Sequence, residues 1–288
     1  MLLSELINKG TRTISQTYPE REAREMVLLF LENRLGTNRH THILNPSYEV
    51  NGEAVTEALA AFERMAAGEP AQYVIGTAWF YGREFKVTPD VLIPRPETEI
   101  LCREVIEAVS GIGRNEIRIA DLCTGSGCIA WTLSKELPGS EVLGVDISAG
   151  ALSVAAGQSL EQEAPACVDP KFIHADVLGE IPAGIGEFDV LVSNPPYVME
   201  SEKQLMRRNV LEHEPDLALF VSDEDPLIFY RAVASWASVL LKKGGLCIVE
   251  INEALGKETA DVFIKAGFHD VKVIQDLNSR DRFVSAIQ

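Results

Sequence analysis

Over roughly the first 73 residues the apolar positions recur three and four apart, which aligns them along one side of a helix. Ala23, Val27, Phe30 and Leu31 form one such stripe; Pro19 stands where a helix opens and Gly36 where one stops. A second stripe, Val55, Leu59, Phe62 and Met65, starts at Glu53 and ends before Gly68. The pattern then changes. Trp79, Phe80, Tyr81, Phe85 and Val87 crowd around Gly82 and stop at Pro89, as in a β-hairpin, and Pro96 opens a helix that reaches about Ser110. Beyond it, apolar runs at 117–123, 141–147, 171–177, 188–194 and 245–252 end in acidic or polar residues, with helical patterns between most of them. Runs at 269–276 and 282–288 close the chain. This alternation predicts an α/β fold, a parallel sheet covered by helices on both faces. Three parts are expected: a helical domain at 1-75, a hairpin linker at 76-95 and an α/β domain at 96-288.

Composition narrows the partners. The 288 residues are 46% hydrophobic and 24% charged, which suits a chain that buries a core, and the formal charge of -17 makes it strongly acidic. Nucleic acid is usually met by a basic face, so no direct nucleic-acid binding is expected and a basic protein partner fits better. No apolar stretch approaches the roughly 18 residues of a membrane span, and MLLSELINKG lacks the basic start of a signal peptide. The five cysteines, Cys102, Cys123, Cys128, Cys167 and Cys247, form no CxxC pair, the usage of a reducing compartment. His40 and His42 have no further ligand types nearby, so no metal is expected. A cytoplasmic monomer is the expectation.

In a sheet of this kind the ligand lies beyond the carboxyl ends of the strands, so the residues there carry the chemistry. The first run ends in Asp121-Leu122-Cys123-Thr124-Gly125-Ser126-Gly127, where two glycines let the backbone turn tightly and approach a ligand. The second ends at Asp146, placed to accept from both hydroxyls of a ribose, and the third at Asp176, placed to meet an adenine edge. Either aspartate alone also suits a helix cap; three successive strand ends in this order point to a nucleoside. Ala130 takes the third glycine position of a dinucleotide loop, a replacement such loops tolerate, but Asp121 would repel a pyrophosphate while it can hold the ammonium of an amino acid through water or backbone. S-adenosylmethionine, with an amino-acid end and no phosphate, fits that loop.

The fourth strand ends in Ser193-Asn194-Pro195-Pro196-Tyr197. An amide or exocyclic amine is a poor nucleophile because its lone pair is delocalised. The Asn194 oxygen and the Pro195 carbonyl can each accept one N–H of such a group and aim the lone pair at a methyl sulfonium, while Tyr197 can stack on the planar acceptor. Asn194, Pro195 and Tyr197 are therefore the expected catalytic residues. The same turn would serve an adenine-N6 methyltransferase acting on DNA or RNA, which a basic recognition domain would favour. A non-catalytic cofactor-binding module would not need the turn.

Six stretches together resemble the HemK/PrmC family of release-factor glutamine N5-methyltransferases: GEPAQYVIG at 68–76, VLIPRPETE at 91–99, DLCTGSGCIA at 121–130, SNPPYV at 193–198, EHEPDLAL at 212–219 and DLNSRDRFV at 276–284. The resemblance implies a Rossmann-like seven-stranded methyltransferase domain with an antiparallel last strand. It also implies a small N-terminal helical domain that helps hold the release factor, and a β-hairpin linker. The substrate would be the glutamine of the factor's GGQ loop, methylated on its side-chain nitrogen with S-adenosylhomocysteine as product. Cofactor contacts would fall to Thr124, Gly125, Ser126, Gly127, Asp146 and Asn194, with Asp176 near the adenine and Asp121 and Cys123 in the same loop. Asn194, Pro195, Pro196 and Tyr197 would take the glutamine. Arg95 and Glu97, at the mouth, would either touch substrate or pair to anchor the linker. Two stretches depart from the family: Cys123 stands where glycine is usual, and EINEALG at 250–256 replaces an EIG-type run.

Overall fold

The computed structural model describes residues 1–110, 117–160 and 167–288. Along the chain come α1 (Leu3–Ile14), α2 (Glu20–Leu35), α3 (Thr41–Leu44), α4 (Gly52–Ala66) and α5 (Ala71–Ile75), then a hairpin of β1 (Thr77–Phe80) and β2 (Arg83–Lys86). There follow α6 (Thr98–Ser110), β3 (Arg118–Leu122), α7 (Cys128–Glu136), β4 (Glu141–Asp146), α8 (Ala149–Ala156), β5 (Lys171–His174), β6 (Phe188–Ser193) and β7 (Val198–Met199). The chain ends with α9 (Arg208–His213), α10 (Asp216–Leu219), β8 (Phe220–Val221), α11 (Ile228–Leu240), β9 (Leu241–Glu250), α12 (Gly256–Lys265), β10 (His269–Gln275) and β11 (Asp281–Ile287). No helix among the described residues is long and apolar enough to cross a membrane.

These elements form two compact units, Met1–Thr77 with Met206–His213, and Ala78–Leu205 with Glu214–Gln288. The first is helical. Leu3, Leu6, Ile7, Gly10 and Ile14 form the buried stripe of α1, and Gly10 is there because a Cβ would meet the Phe62 ring at 2.5 Å. In α2 the buried face is Ala23, Val27, Leu28, Phe30 and Leu31, and Gly36 ends the helix at φ 61°. The buried face of α4 is Ala58, Ala61, Phe62 and Met65, so the expected Val55 and Leu59 lie at its half-buried margin. Phe30 and Phe62 meet edge to face with centroids 5.7 Å apart.

The expected boundaries differ from the observed units in two places. The hairpin turns through Tyr81 at φ 49° and Gly82 at φ 73°, and it buries Phe80 and Phe85 in the second unit's core beside Leu101 and Val105. Its aromatic residues make it part of that core. Residues 206–213, well inside the α/β sequence, belong to the helical unit, where Arg207 reaches Glu22 at 2.8 Å.

The second unit is built on a seven-stranded sheet of described residues in the order β10-β11-β9-β6-β3-β4-β5. β11 is antiparallel to both its neighbours and the other pairings are parallel. Alternate residues of each central strand feed opposite cores. Ile119, Val190, Val192 and Ile248 pack with Leu101, Val105, Ile129 and Leu133 of α6 and α7. Their neighbours Ala120, Leu191, Cys247 and Val249 pack with Val233, Trp236, Ala237 and Phe263 of α11 and α12. Each such large apolar side chain contributes roughly 1.5–3 kcal/mol on burial, which is why both faces of these strands are apolar. Polar residues are left to the strand ends.

Candidate active site

The loop after β3 is tied down by two aspartates. Asp121, on β3 and fully buried, accepts the Thr124 hydroxyl at 2.6 Å, and burial pushes its carboxyl up to about 7 against the pull of that hydroxyl. Asp146, at the end of β4, accepts the Gly125 N–H at 2.8 Å through one oxygen and the Ser148 N–H at 2.9 Å through the other. Burial raises this carboxyl too, opposed by those N–H groups. Three consecutive odd positions of the loop are left-handed: Cys123 at φ 60°, Gly125 at φ 53° and Gly127 at φ 78°. A Cβ on Gly125 would meet nothing, so its glycine serves conformation; one on Gly127 would meet Ala155 at 3.0 Å, so that glycine also serves packing. Cys123 takes the same kind of backbone with a side chain attached, at a cost of roughly 1–2 kcal/mol.

The turn after β6 is organised by side chains instead. Asn194 donates its amide N–H to the Thr98 hydroxyl at 3.3 Å, and that hydroxyl donates to one Glu250 oxygen at 2.7 Å. The Tyr197 hydroxyl donates to the other Glu250 oxygen at 3.0 Å. The register β6–β9 pairs Ser193 with Val249, which puts Asn194 and Glu250 in step one residue beyond the ladder. Burial raises the Glu250 carboxyl, while Thr98, Tyr197 and the Arg282 charge favour its ionised form. Asn252, two residues on, donates to the Tyr197 carbonyl at 3.2 Å and to Glu202 at 2.8 Å, while its oxygen accepts the Ala254 N–H at 2.9 Å. Its φ is -63°, so this position does not call for glycine.

Between the loop and the turn lies a cavity enclosing about 1110 Å³ of space, counting the part open to solvent. Of the residues expected from sequence, Cys123, Thr124, Gly125, Ser126, Asp146, Asp176, Asn194, Pro196 and Arg95 line it. Asp121, Gly127, Pro195, Tyr197 and Glu97 do not. Asp121 lies behind the loop on β3, Gly127 faces α8, and Tyr197 turns its hydroxyl to Glu250. Glu97 is exposed, whereas Arg95 forms an ion pair with the buried Glu214 at 2.7 Å; Glu214 also accepts the Ile93 N–H at 3.1 Å. The anchoring role foreseen for Arg95 thus has Glu214, not Glu97, as its partner. β5 stops at His174, so Asp176 stands two residues past the strand end, where it accepts the Leu178 N–H at 2.8 Å.

The sequence reading passed over Thr98, Glu250 and Asn252. Thr98 sits inside the IPRPETE stretch already singled out, and Glu250 is an acidic residue at the end of an apolar strand, the same signal that drew attention to Asp146. Leu217, inside the EHEPDLAL stretch, joins Leu178 and Phe229, which no motif marked, in an apolar wall of the cavity.

The residues present suit S-adenosylmethionine. Asp146 and Asp176 lie on the wall with lone pairs left for hydroxyl and amine donors. Val177, Leu178 and Phe229 offer an apolar surface for a base, and Gly125 has open space where a Cβ would stand.

Two family profiles match the chain: "PrmC N-terminal domain" over residues 5–76 and "Methyltransferase small domain" over residues 98–216. The chain is 37% identical over 275 residues to the release factor glutamine methyltransferase of Bacteroides thetaiotaomicron, covering 96% of each. It is 34% identical over 285 residues to the release factor glutamine methyltransferase of Flavobacterium psychrophilum, covering 99% of this chain and 98% of that one. Among solved structures, the release-factor-specific protein-(glutamine-N5) methyltransferase of Alicyclobacillus acidocaldarius matches with 27% identity and a TM-score of 0.43, covering 71% of this chain and 99% of that one.

Proposed function

Because the chain belongs to the release factor glutamine methyltransferase family, we propose that it methylates the side-chain amide nitrogen of the glutamine in the GGQ motif of peptide chain release factors. When bound, S-adenosylmethionine supplies an electrophilic methyl group on a sulfonium and leaves as S-adenosylhomocysteine. Thr124, Gly125, Ser126, Asp146 and Asp176 hold it: Asp146 takes the ribose hydroxyls and Asp176 the adenine side. Asp121 acts from behind the loop, by keeping Thr124 in place.

One observation carries the reading of the acceptor site. The Asn194 amide spends its nitrogen on Thr98, and no donor among the described residues engages its oxygen. That oxygen accepts one N–H of the incoming glutamine amide, which turns the nitrogen lone pair toward the methyl group; the Pro195 carbonyl, the second acceptor expected from sequence, is not on the cavity wall and reaches the other N–H only if the turn opens toward the substrate. No strong base is required, because the nitrogen becomes acidic as it gains the methyl. Tyr197 holds the turn through its hydroxyl, and Pro196 supplies a rigid wall.

The helical unit is the release-factor-holding part. A groove there is lined by Glu22, Glu25, Glu32 and Arg39 with Met26 and Leu29; Arg39 pairs with Glu25 and Arg207 with Glu22, so it is the chain's formal charge of -17 that favours a basic protein partner over a nucleic acid. The enzyme works as a monomer in the cytoplasm, where translation ends. The test is transfer of labelled methyl to a whole release factor in single turnover. Asn194→Ala lowers that rate at least about a hundredfold, the scale for removing one oxyanion-hole group, with cofactor affinity little changed. An Asn194→Ala enzyme that binds cofactor and still transfers methyl at the original rate ends this reading.

A further inference from the structure

The chemistry of the groups around Asn194 leaves little choice in how its amide is turned. An ionised carboxylate only accepts, so Glu250 accepts a hydrogen bond from each hydroxyl that reaches it, Thr98 at 2.7 Å and Tyr197 at 3.0 Å. A hydroxyl has one proton. With that proton committed to Glu250, Thr98 presents only lone pairs to Asn194, and the amide must answer with its N–H₂. The carbonyl end is left for the cavity. Without the carboxylate, Thr98 can donate to Asn194 instead, and the amide can turn about and present donors where an acceptor is needed.

We propose that Glu250 is a positioning residue for methyl transfer, fixing through Thr98 which end of the Asn194 amide faces the acceptor. This rests on the acceptor-site reading above. Three features set Glu250 apart from a carboxylate that merely ends a strand. It is 1% exposed, its two oxygens are divided between two hydroxyls, and both hydroxyls belong to elements that frame Asn194, the start of α6 and the turn itself. Buried carboxylates are costly unless their oxygens are used, and here each use constrains the turn. Glu250 touches neither substrate nor cofactor in this scheme, so it acts only through the residues it holds.

The experiment compares Thr98→Val, Thr98→Ser and Glu250→Met with the unaltered enzyme, in kcat and KM for a release factor and in Kd for S-adenosylhomocysteine. Thr98→Val and Glu250→Met lower kcat tenfold or more, with the Kd within about threefold, and Thr98→Ser, which keeps the hydroxyl, recovers most of the loss. If Glu250→Met does not fold, the Val–Ser pair still decides. Equal kcat in Thr98→Val and the unaltered enzyme overturns the proposal. So does a Thr98→Ser enzyme as poor as Thr98→Val, or losses that fall on the Kd as heavily as on kcat. Absence of methylation by the unaltered enzyme would overturn the acceptor-site reading instead, so the two failures are distinct.

Discussion

The loop after β3 is shaped by its own backbone, with left-handed residues at 123, 125 and 127, and two carboxylates tie it to the sheet. The turn after β6 is shaped by side chains from elsewhere: Thr98 from α6, Glu250 from β9 and Asn252 beyond it. Each has one departure from its family's usual glycine, and the outcomes are opposite. At Cys123 the backbone has kept the left-handed form that suits glycine, so the cysteine side chain sits under strain. At Asn252 the backbone is ordinary, and the side chain makes three hydrogen bonds that a glycine could not. A glycine required for conformation is poorly replaced; one whose place has an ordinary φ can be put to other use.

The largest expected effect concerns the buried carboxylate behind the loop. Asp121 has a folded-state value of about 7 against an ordinary 3.8, so the folded protein keeps a proton that the unfolded chain gives up. The stability this confers is full below about pH 4 and is lost as pH rises through 7, at up to about 1.4 kcal/mol per pH unit. Asp121→Asn removes that slope, as urea unfolding at a series of pH values will show; an unchanged slope refutes the assignment. Next, Asp146→Ala weakens S-adenosylhomocysteine binding by about 1.5–3 kcal/mol, the range for hydrogen bonds to a charged group, and calorimetry on the folded variant measures it. It also frees the Gly125 N–H, so part of the loss reflects the loop.

The two glycine restorations sharpen the contrast most directly. Asn252→Gly costs about 1–3 kcal/mol, because the Tyr197 carbonyl and Glu202 each lose a donor. Cys123→Gly moves the other way, a gain of up to about 1 kcal/mol as relief of the left-handed strain outweighs the extra freedom of glycine in the unfolded chain. Thermal unfolding of the two variants side by side decides it. Equal signs would mean that backbone conformation does not separate the two sites.

Much of this arrangement could be read from residue order. The central strands declare themselves because both faces are buried, so Ile119–Ala120 and Val190–Leu191–Val192 are apolar without interruption, and the polar residues that follow mark the ligand end. Asn194-Pro195-Pro196-Tyr197 and the glycine loop are contiguous, so their chemistry is written locally. Other features depend on residues far apart in the chain. Thr98 and Glu250 are 152 positions apart, and Arg95 and Glu214 are 119 apart; sheet register and crossover helices bring them together. The hydrogen bond of Tyr197 was hidden for the same reason. As part of a motif the residue is an aromatic ring beside an acceptor, and only the fold supplies the Glu250 oxygen that claims its hydroxyl.

By itself, then, the sequence determined the alternation of elements, the two ends of strands where the chemistry gathers and the atoms that can orient a planar nitrogen. These follow from periodicity and from the functional groups of neighbouring residues, which no packing can alter. Tertiary structure decided which oxygens are free. Asp121 is turned inward to Thr124, Arg95 is spent on Glu214, and the Asn194 amide is oriented by Thr98. A hydroxyl has one proton and a carboxylate none, so the direction of each hydrogen bond is set by the next partner along, and those partners are assembled only when the chain folds.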